Sequence, residues 1–535
     1  MTAHPRVWLL SSLVVCLVAA PGALEAQGHA PARPAAEPLV VPLTLADVVR
    51  RALRDDPDIM MSERAADAAY GAATSSRAAY DATVQTSIGH TRDNGLKLVS
   101  ATVPGGDPTI QSVLTSSVAS GIAVQQRLRW GGVILSPQLA LTGAGVPGTI
   151  MQSRANVALG VRVPFARDRG GDLVRSAEAA AYTEAEATVR DVRQAAATGV
   201  LQAVNSYWGY VAAQRRLRVF VAGEERARKN LAQTTDLVAA DERPASDLVQ
   251  LRGNVASKVA ARISAEQSVL ETWRTLSLVV GLGGTDIAAV PASATDLPAF
   301  PDTVVLREMS ATDLRALVDG ALARRADLAA AAIRVREGEL GVRTTTHLMR
   351  PIIDVVAQVG YSGLDQGSGV QHYLSPAVRN WSPLNATLQL VYQFSAAGSD
   401  AAGRSQQTAA ALDQERIAHA AVERSIVTGV VVAVDGLRRS IASGASSRVA
   451  SQAAEQAVTN ELSKFRLGSS TVIDVILAED GLTNAMLNDV SSRQSYAVAI
   501  ARLQFELGTL VTGESQTLTG NIASLLEAPA VIAKP

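Results

Sequence analysis

Two hydrophobic periods divide this chain, and each recurs in the same order in both halves. Residues 83–89 and 354–361 alternate apolar with polar. A second alternating stretch in each half ends in phenylalanine. Val157, Leu159, Val161, Val163 and Phe165 share one face, as do Leu388, Leu390, Tyr392 and Phe394. The opposite faces carry Asn156, Ala158, Gly160 and Arg162, and Thr387, Gln389 and Gln393. Successive strand side chains point to opposite sides, so each strand has one apolar and one polar face. That suits a membrane barrel, apolar outward and polar inward. A soluble sandwich with one wet face has the same alternation. The first half adds a further hairpin. Ile122, Val124, Leu128 and Trp130 alternate with Ala123, Gln125, Arg127 and Arg129, then Gly131-Gly132 turns the chain towards Leu135, Leu139 and Leu141. It either lengthens the wall or embellishes the outer loops. Gly-, Pro- and Ser-rich stretches at 91–120, 143–153 and 363–383 read as those loops.

Helical periodicity frames the strands. An opening helix is predicted over 43–79, with a counterpart that starts near Ala311 and aligns Ala52 with Ala321 and Asp58 with Asp327. Long proline-free helices follow the strands, over about 173–240 and 401–464. At 1.5 Å per residue each approaches ~100 Å, a length that packs only against other long helices. Each ends in a turn and returns as a helix about half as long. Asp241 and Gly468, Asp247 and Asp474, and Gly281 and Gly508 all stand 227 positions apart. Ser246 and Thr471 are the expected caps of the return helices. The chain therefore reads as two internal repeats, 43–283 and 310–513, with an inter-repeat linker at 284–309 and a tail at 514–535.

Composition and charge narrow the function. Hydrophobic residues make up 47% of the chain but aromatics only 4%, so the core is built for close helix packing. Lys and Arg number 49 against 50 Asp and Glu, which argues against a nucleic-acid partner. His4, Arg6 and the apolar stretch 7–20 read as a signal peptide over 1–26, with Ala26 the last residue before cleavage. A Pro-rich linker, 27–42, follows. The single cysteine, Cys16, follows Val15 rather than a small residue, so it belongs to the signal and is not a lipidation site. Cleavage after Ala26 leaves no cysteine for disulfides, thiol chemistry or metal. No later segment is expected to span a membrane as a helix, so if the protein sits in a membrane it does so as a closed barrel.

The chain resembles the TolC-like outer-membrane efflux protein family. The resemblance is carried by Leu43-Thr44-Leu45 with Asp56-Pro57-Asp58, by the turn from Phe465 to Val475, and by Glu506-Leu507-Gly508-Thr509-Leu510. It covers nearly the whole mature chain, in both halves. It implies an α+β membrane protein: a trimeric transmembrane β-barrel continuous with a long periplasmic α-helical coiled-coil barrel. It implies a homotrimer in the outer membrane of a Gram-negative bacterium, extending into the periplasm. The partners would be outer-membrane lipid, a periplasmic adaptor and an inner-membrane pump. The expected work is passive export, by efflux or type I secretion, of small molecules or proteins.

The resemblance also assigns residues. Asp474 would line a pore constriction, with Asp247 its counterpart. Leu477 stands where some members carry a second Asp, and Ser470 where some carry an Arg that ties the tip shut. Asp241, Glu242, Arg243 and Pro244, with Leu467, Gly468, Ser469 and Ser470, would meet the adaptor. The alternative for both acids is the ordinary one, since a first helical turn favours negative charge. No catalytic, cofactor or metal residues are expected. Phosphate-loop, nucleophile-elbow and dinucleotide motifs are missing, and His90, His347, His372 and His419 are not spaced as a ligand pair. Two rival functions share the pattern: a periplasmic coiled-coil scaffold or adhesin without a pore, and a secreted hydrolase with a helical accessory domain.

Overall fold

A computed structural model describes residues 43–99, 109–146, 150–282, 290–293, 295–300, 310–367, 369–395, 398–513 and 518–526. The predicted signal peptide, the Pro-rich linker, most of the inter-repeat linker and much of the tail lie outside them. The expected single opening helix is two, α1 (Leu45–Asp55) and α2 (Pro57–Ser76). Pro57 forces the break, because the residue before proline is driven out of the helical region, and Asp56 sits at ψ 123°. Thr44 and Asp47 cap α1 reciprocally.

The strands come next: β1 (Thr83–Val99), β2 (Thr109–Arg127), β3 (Ile134–Gly145) and β4 (Met151–Pro164). The long helix α3 (Asp172–Ala239) and its return α4 (Ser246–Val279) complete the first half. The second half runs α5 (Ala311–Arg324), α6 (Ala326–Leu348), β5 (Ile352–Gly367), the short α7 (Val370–Leu374) and β6 (Asn385–Gln393). It ends with α8 (Ser399–Arg466) and α9 (Val472–Glu506). A two-stranded ribbon, β7 (Val511–Thr512) with β8 (Thr519–Gly520), follows. Both long helices have 68 residues, and their returns 34 and 35.

Six strands form one antiparallel sheet in chain order, β1 to β6. The added hairpin belongs to this sheet. Its turn is fixed to the start of α3: Gly132 lies so close that a Cβ there would sit 2.8 Å from Gly171 N, and Arg129 pairs with Glu178 at 3.0 Å. Two of the three expected loops are largely strand, while 363–383 is strand only to Gly367. β1 extends to Val99, β2 starts at Thr109, and the 143–153 stretch ends β3 and begins β4. Their Gly, Ser and Thr content reads as loop by propensity, yet ladder partners on neighbouring strands decide the outcome.

The register puts one apolar face across all six strands. Val84 pairs with Val124, Ile122 with Leu139, Leu139 with Val157, Leu159 with Val359, and Ala357 with Leu388. The other face is small and polar, and its Arg162 donates from Nε to Asp354 at 2.6 Å. The sheet is also staggered. The row Gln85, Ala123, Gln138, Ala158, Gly360 and Asn385 begins two residues into β1 but meets β6 eight residues before Gln393. That net slip of six over five strand steps corresponds to a tilt of about 40°.

The core is concentrated where the helices crowd. Tyr207, Trp208, Tyr210 and Trp273 are almost fully buried between α1, α3 and α4, and Tyr207 Oη donates to Leu43 O at 3.1 Å. A second cluster joins Phe300 to Ile426, Val430, Leu437, Tyr496 and Ile500. Against the expectation of no spanning helix, α8 holds an 18-residue stretch of mean hydropathy 1.6. The reason is that α8 is apolar on two sides. Ile426, Val430 and Leu437 fill the core, while Ile417 and Val432 stay 67% and 63% exposed.

Candidate functional site

The sequence singles out the turns that join α3 to α4 and α8 to α9. Both long helices end in the same way. Asp241 and Gly468 adopt φ values of 60° and 75°. Glu242 N donates to Leu237 O at 2.9 Å, and Ser469 N to Lys464 O at 3.0 Å, the bonds of a Schellman end. Asp tolerates this left-handed site better than most side chains, so the first turn manages without glycine.

The return helices start differently. Thr471 caps α9 as expected, with Asp474 as its reciprocal partner. Ser246 is not a cap. It lies inside α4, whose cap position is Ala245 and carries no side-chain bond. Pro244 shifts the start: its carbonyl accepts from Asp247 N at 3.1 Å, so backbone replaces the side-chain cap.

Asp474 is exposed, and Oδ2 takes all of its hydrogen bonds. Thr471 Oγ1 donates at 2.6 Å, Thr471 N at 3.0 Å and Ser470 Oγ at 3.4 Å. The Thr471 hydroxyl, then its backbone N–H, hold the carboxyl below its ordinary value. Glu461 is lowered too, first by the Ser470 hydroxyl and then by Lys464. Groups with depressed folded values stabilise the fold above the ordinary carboxylate range and lose that contribution as pH falls through the folded value. The second tip is therefore expected to be better ordered at neutral pH than in acid, as read by amide hydrogen exchange at 465–475. Asp247 is half-buried in the first turn of α4.

Arg243 joins the two turns. Its Nη2 donates to Phe465 O at 2.7 Å and Ser470 O at 3.4 Å, and its guanidinium lies 4.2 Å from the Phe465 ring centre. An arginine thus ties the tip, but from the first turn rather than from position 470. The sequence offers no spacing that pairs residues this far apart. Beneath the tie, Leu251, Phe465, Val472 and Val475 form a small core. A groove of about 280 Å³ opens beside it, between Asn230 and Leu237 on one side and Leu462 and Arg466 on the other. Asp241, Glu242, Pro244, Leu467, Gly468 and Ser469 are all exposed, Leu467 by 83%. A larger cavity, about 850 Å³, lies far from the tips against α1, α2 and β8.

No family model and no curated protein sequence matches the chain. Solved structures do. The outer membrane channel CmeC of Campylobacter jejuni superposes with a TM-score of 0.65 at 12% identity, covering 90% of this chain and 89% of its own. The outer membrane protein VceC of Vibrio cholerae gives 0.62 at 18%, covering 87% and 96%. The open-state outer membrane channel MtrE of Neisseria gonorrhoeae gives 0.59 at 14%, covering 88% and 91%. At these identities the likeness establishes architecture, from sheet to tips, along almost the full length of each chain. This chain has the fold of the outer-membrane efflux channels, the TolC-like architecture.

Proposed function

We propose that this protein is a passive outer-membrane exit duct of a tripartite efflux or type I secretion system, carrying small molecules or proteins outward from an inner-membrane pump. One observation carries the reading: a tilted sheet with a continuous apolar face is joined, in one chain, to helices ~100 Å long. A sheet with free edges is not stable in hydrocarbon, where every backbone group needs a partner. β1 and β6 are the free edges. Pairing β6 of one copy with β1 of the next, around three copies, closes an eighteen-stranded barrel from six strands each. The tilt of about 40° suits such closure. The uncovered apolar side of α8 then faces a neighbouring copy. The barrel sits in the outer membrane and the helices cross the periplasm, where the tips meet an adaptor.

Two results test this. The mature chain is expected in outer-membrane fractions as a trimer that forms conducting channels in planar bilayers. A soluble periplasmic monomer would overturn the duct and favour a pore-free scaffold. At the tip, Asp474 caps α9 through one carboxylate oxygen, a geometry compatible with lining a constriction through the other. Asp474→Asn keeps an acceptor for Thr471 but removes the charge. We expect it to lower cation selectivity while the trimer stays assembled, as read by reversal potentials in asymmetric salt. Unchanged selectivity leaves Asp474 as a capping residue alone.

A further inference from the structure

The β5–β6 connection does not stand away from the sheet. Residues 369–379 fold back over the apolar face of β3, β4 and β5, and residues 380–382 rejoin the wall edge-on beside β5, with Trp381 bridged to Gly363. The seat is cut into that face by small residues, where β4 to β6 nearer the helices carry Val, Leu and Ile. Ser153 and Ala155 are buried beneath the connection. A Cβ at Gly363 would lie 2.0 Å from Pro376 O, one at Gly367 2.3 Å from the His372 ring, and one at Gly143 3.0 Å from Tyr373. Tyr373 Oη donates to Leu141 O at 3.1 Å and lies 2.8 Å from Ser120 Oγ. Asp365 also points to this face, and His372 Nδ1, at 3.0 Å, and Ser375 Oγ cover its carboxylate.

The outer side of the strap presents large apolar side chains, with Arg379 and Asn380 exposed among them. Val370, Leu374, Val378, Trp381 and Leu384 are 62%, 49%, 74%, 52% and 56% exposed. Val370, Leu374 and Val378 recur every fourth residue. Trp381 stacks on Tyr361 at 5.5 Å, continuing the apolar face of the wall. Tyr361 lies eight residues along β5 from Ile353, the partner of Tyr392, a run of about 27 Å. Two aromatic levels separated in this way bracket a membrane band. The strap begins at the outer one, and because the strands tilt by about 40° the two levels lie about 21 Å apart along the axis, so an apolar band of about 25 Å reaches onto the strap.

Resting on the barrel reading above, we propose that this strap inserts its apolar side into the outer-leaflet lipid and anchors the wall there. The occupant is lipid and not a second copy, because the strap covers the middle strands while neighbouring copies pair at β1 and β6. The strap also covers Asp365, whose carboxylate is bonded by His372 and Ser375 at the outer end of the wall.

Cys16, the single cysteine, lies in the predicted signal peptide, and Cys16→Ser keeps the labelling background cysteine-free in precursor and mature chain alike. Val378→Cys, Leu388→Cys and Ser469→Cys each carry an environment-sensitive fluorophore, in trimers reconstituted into phosphatidylcholine vesicles with or without spin-labelled lipid. We expect spin-labelled lipid to cause loss of emission at 378 and 388 but not at 469, and iodide to quench only 469. Adding Gly363→Val, which crowds Pro376, is expected to move 378 from lipid quenching to iodide quenching and leave 388 unchanged. Lipid quenching at 388 with iodide quenching at 378 in the unmodified seat would overturn the strap and leave the barrel standing. No lipid quenching at either position would remove the barrel reading and the strap with it.

Discussion

Leu388→Arg is expected to remove most of the protein from the outer membrane, while Gln389→Arg, one residue on, is tolerated. Leu388 lies on the apolar face of β6, 77% exposed, opposite Ala357 and midway between the two aromatic levels. An arginine facing lipid at the midplane of a barrel costs about 2–4 kcal/mol. Gln389 points to the other face, where arginine already occurs at 127, 154 and 162. The readout is the yield of trimer in outer-membrane fractions at equal expression. Equal loss from both would show that neither face meets lipid. Loss from Gln389→Arg alone would mean that the sheet is turned the other way.

Arg325→Ala is the substitution expected to cost most in the periplasmic part. Arg325 sits at the corner between α5 and α6, its side chain 8% exposed, and its Nη1 lies 3.0 Å from Glu506 Oε2. The Glu506 side chain is 4% exposed and also pairs with Arg502 at 2.5 Å. The Arg325 guanidinium bonds Asp327 at 2.6 Å and lies 4.8 Å from the Phe505 ring centre. Gly429 makes the space, since a Cβ there would sit 2.6 Å from Glu506 Oε2. Leaving a buried charge unpaired costs about 3–5 kcal/mol, a loss that Arg502 offsets in part here, whereas replacing both partners by apolar groups is often close to neutral. Thermal scans at a fixed rate should show a large fall in Tm for Arg325→Ala and substantial recovery in Arg325→Met with Glu506→Leu. A fall no greater than that of an exposed pair would mean that water reaches this corner.

The helical hairpins were legible because their ends are local. A left-handed residue, a capping Thr with its Asp, and a fixed spacing between the halves place α3 within one residue and α8 within two. The strand faces were legible for the same reason. Strand length was not, because β1 and β2 continue through Ser, Thr and Gly whose partners lie on other strands. The break at Asp56 was written in Pro57 but hidden by good helix formers on both sides. At the tips, the Thr471–Asp474 cap was readable from sequence. The Arg243 tie was not, since it joins residues more than two hundred positions apart. The strap could not be foreseen from its Gly- and Pro-containing sequence, because its partner is a set of small residues spread over three strands.

In the proposed trimer the added hairpin would set the perimeter of the duct. Eighteen strands spaced ~4.8 Å apart and tilted about 40° would enclose a rim of roughly 110 Å. Each chain offers four helical columns: α3, α8, α2 end to end with α4, and α6 end to end with α9. Twelve such columns at ~9 Å also make a rim of roughly 110 Å. With four strands per chain the upper rim would shrink to roughly 75 Å and form a shoulder above the helices. With six, the proposed lipid-embedded segment and the helical segment would share nearly one bore, and any narrowing in the path would fall to the tips.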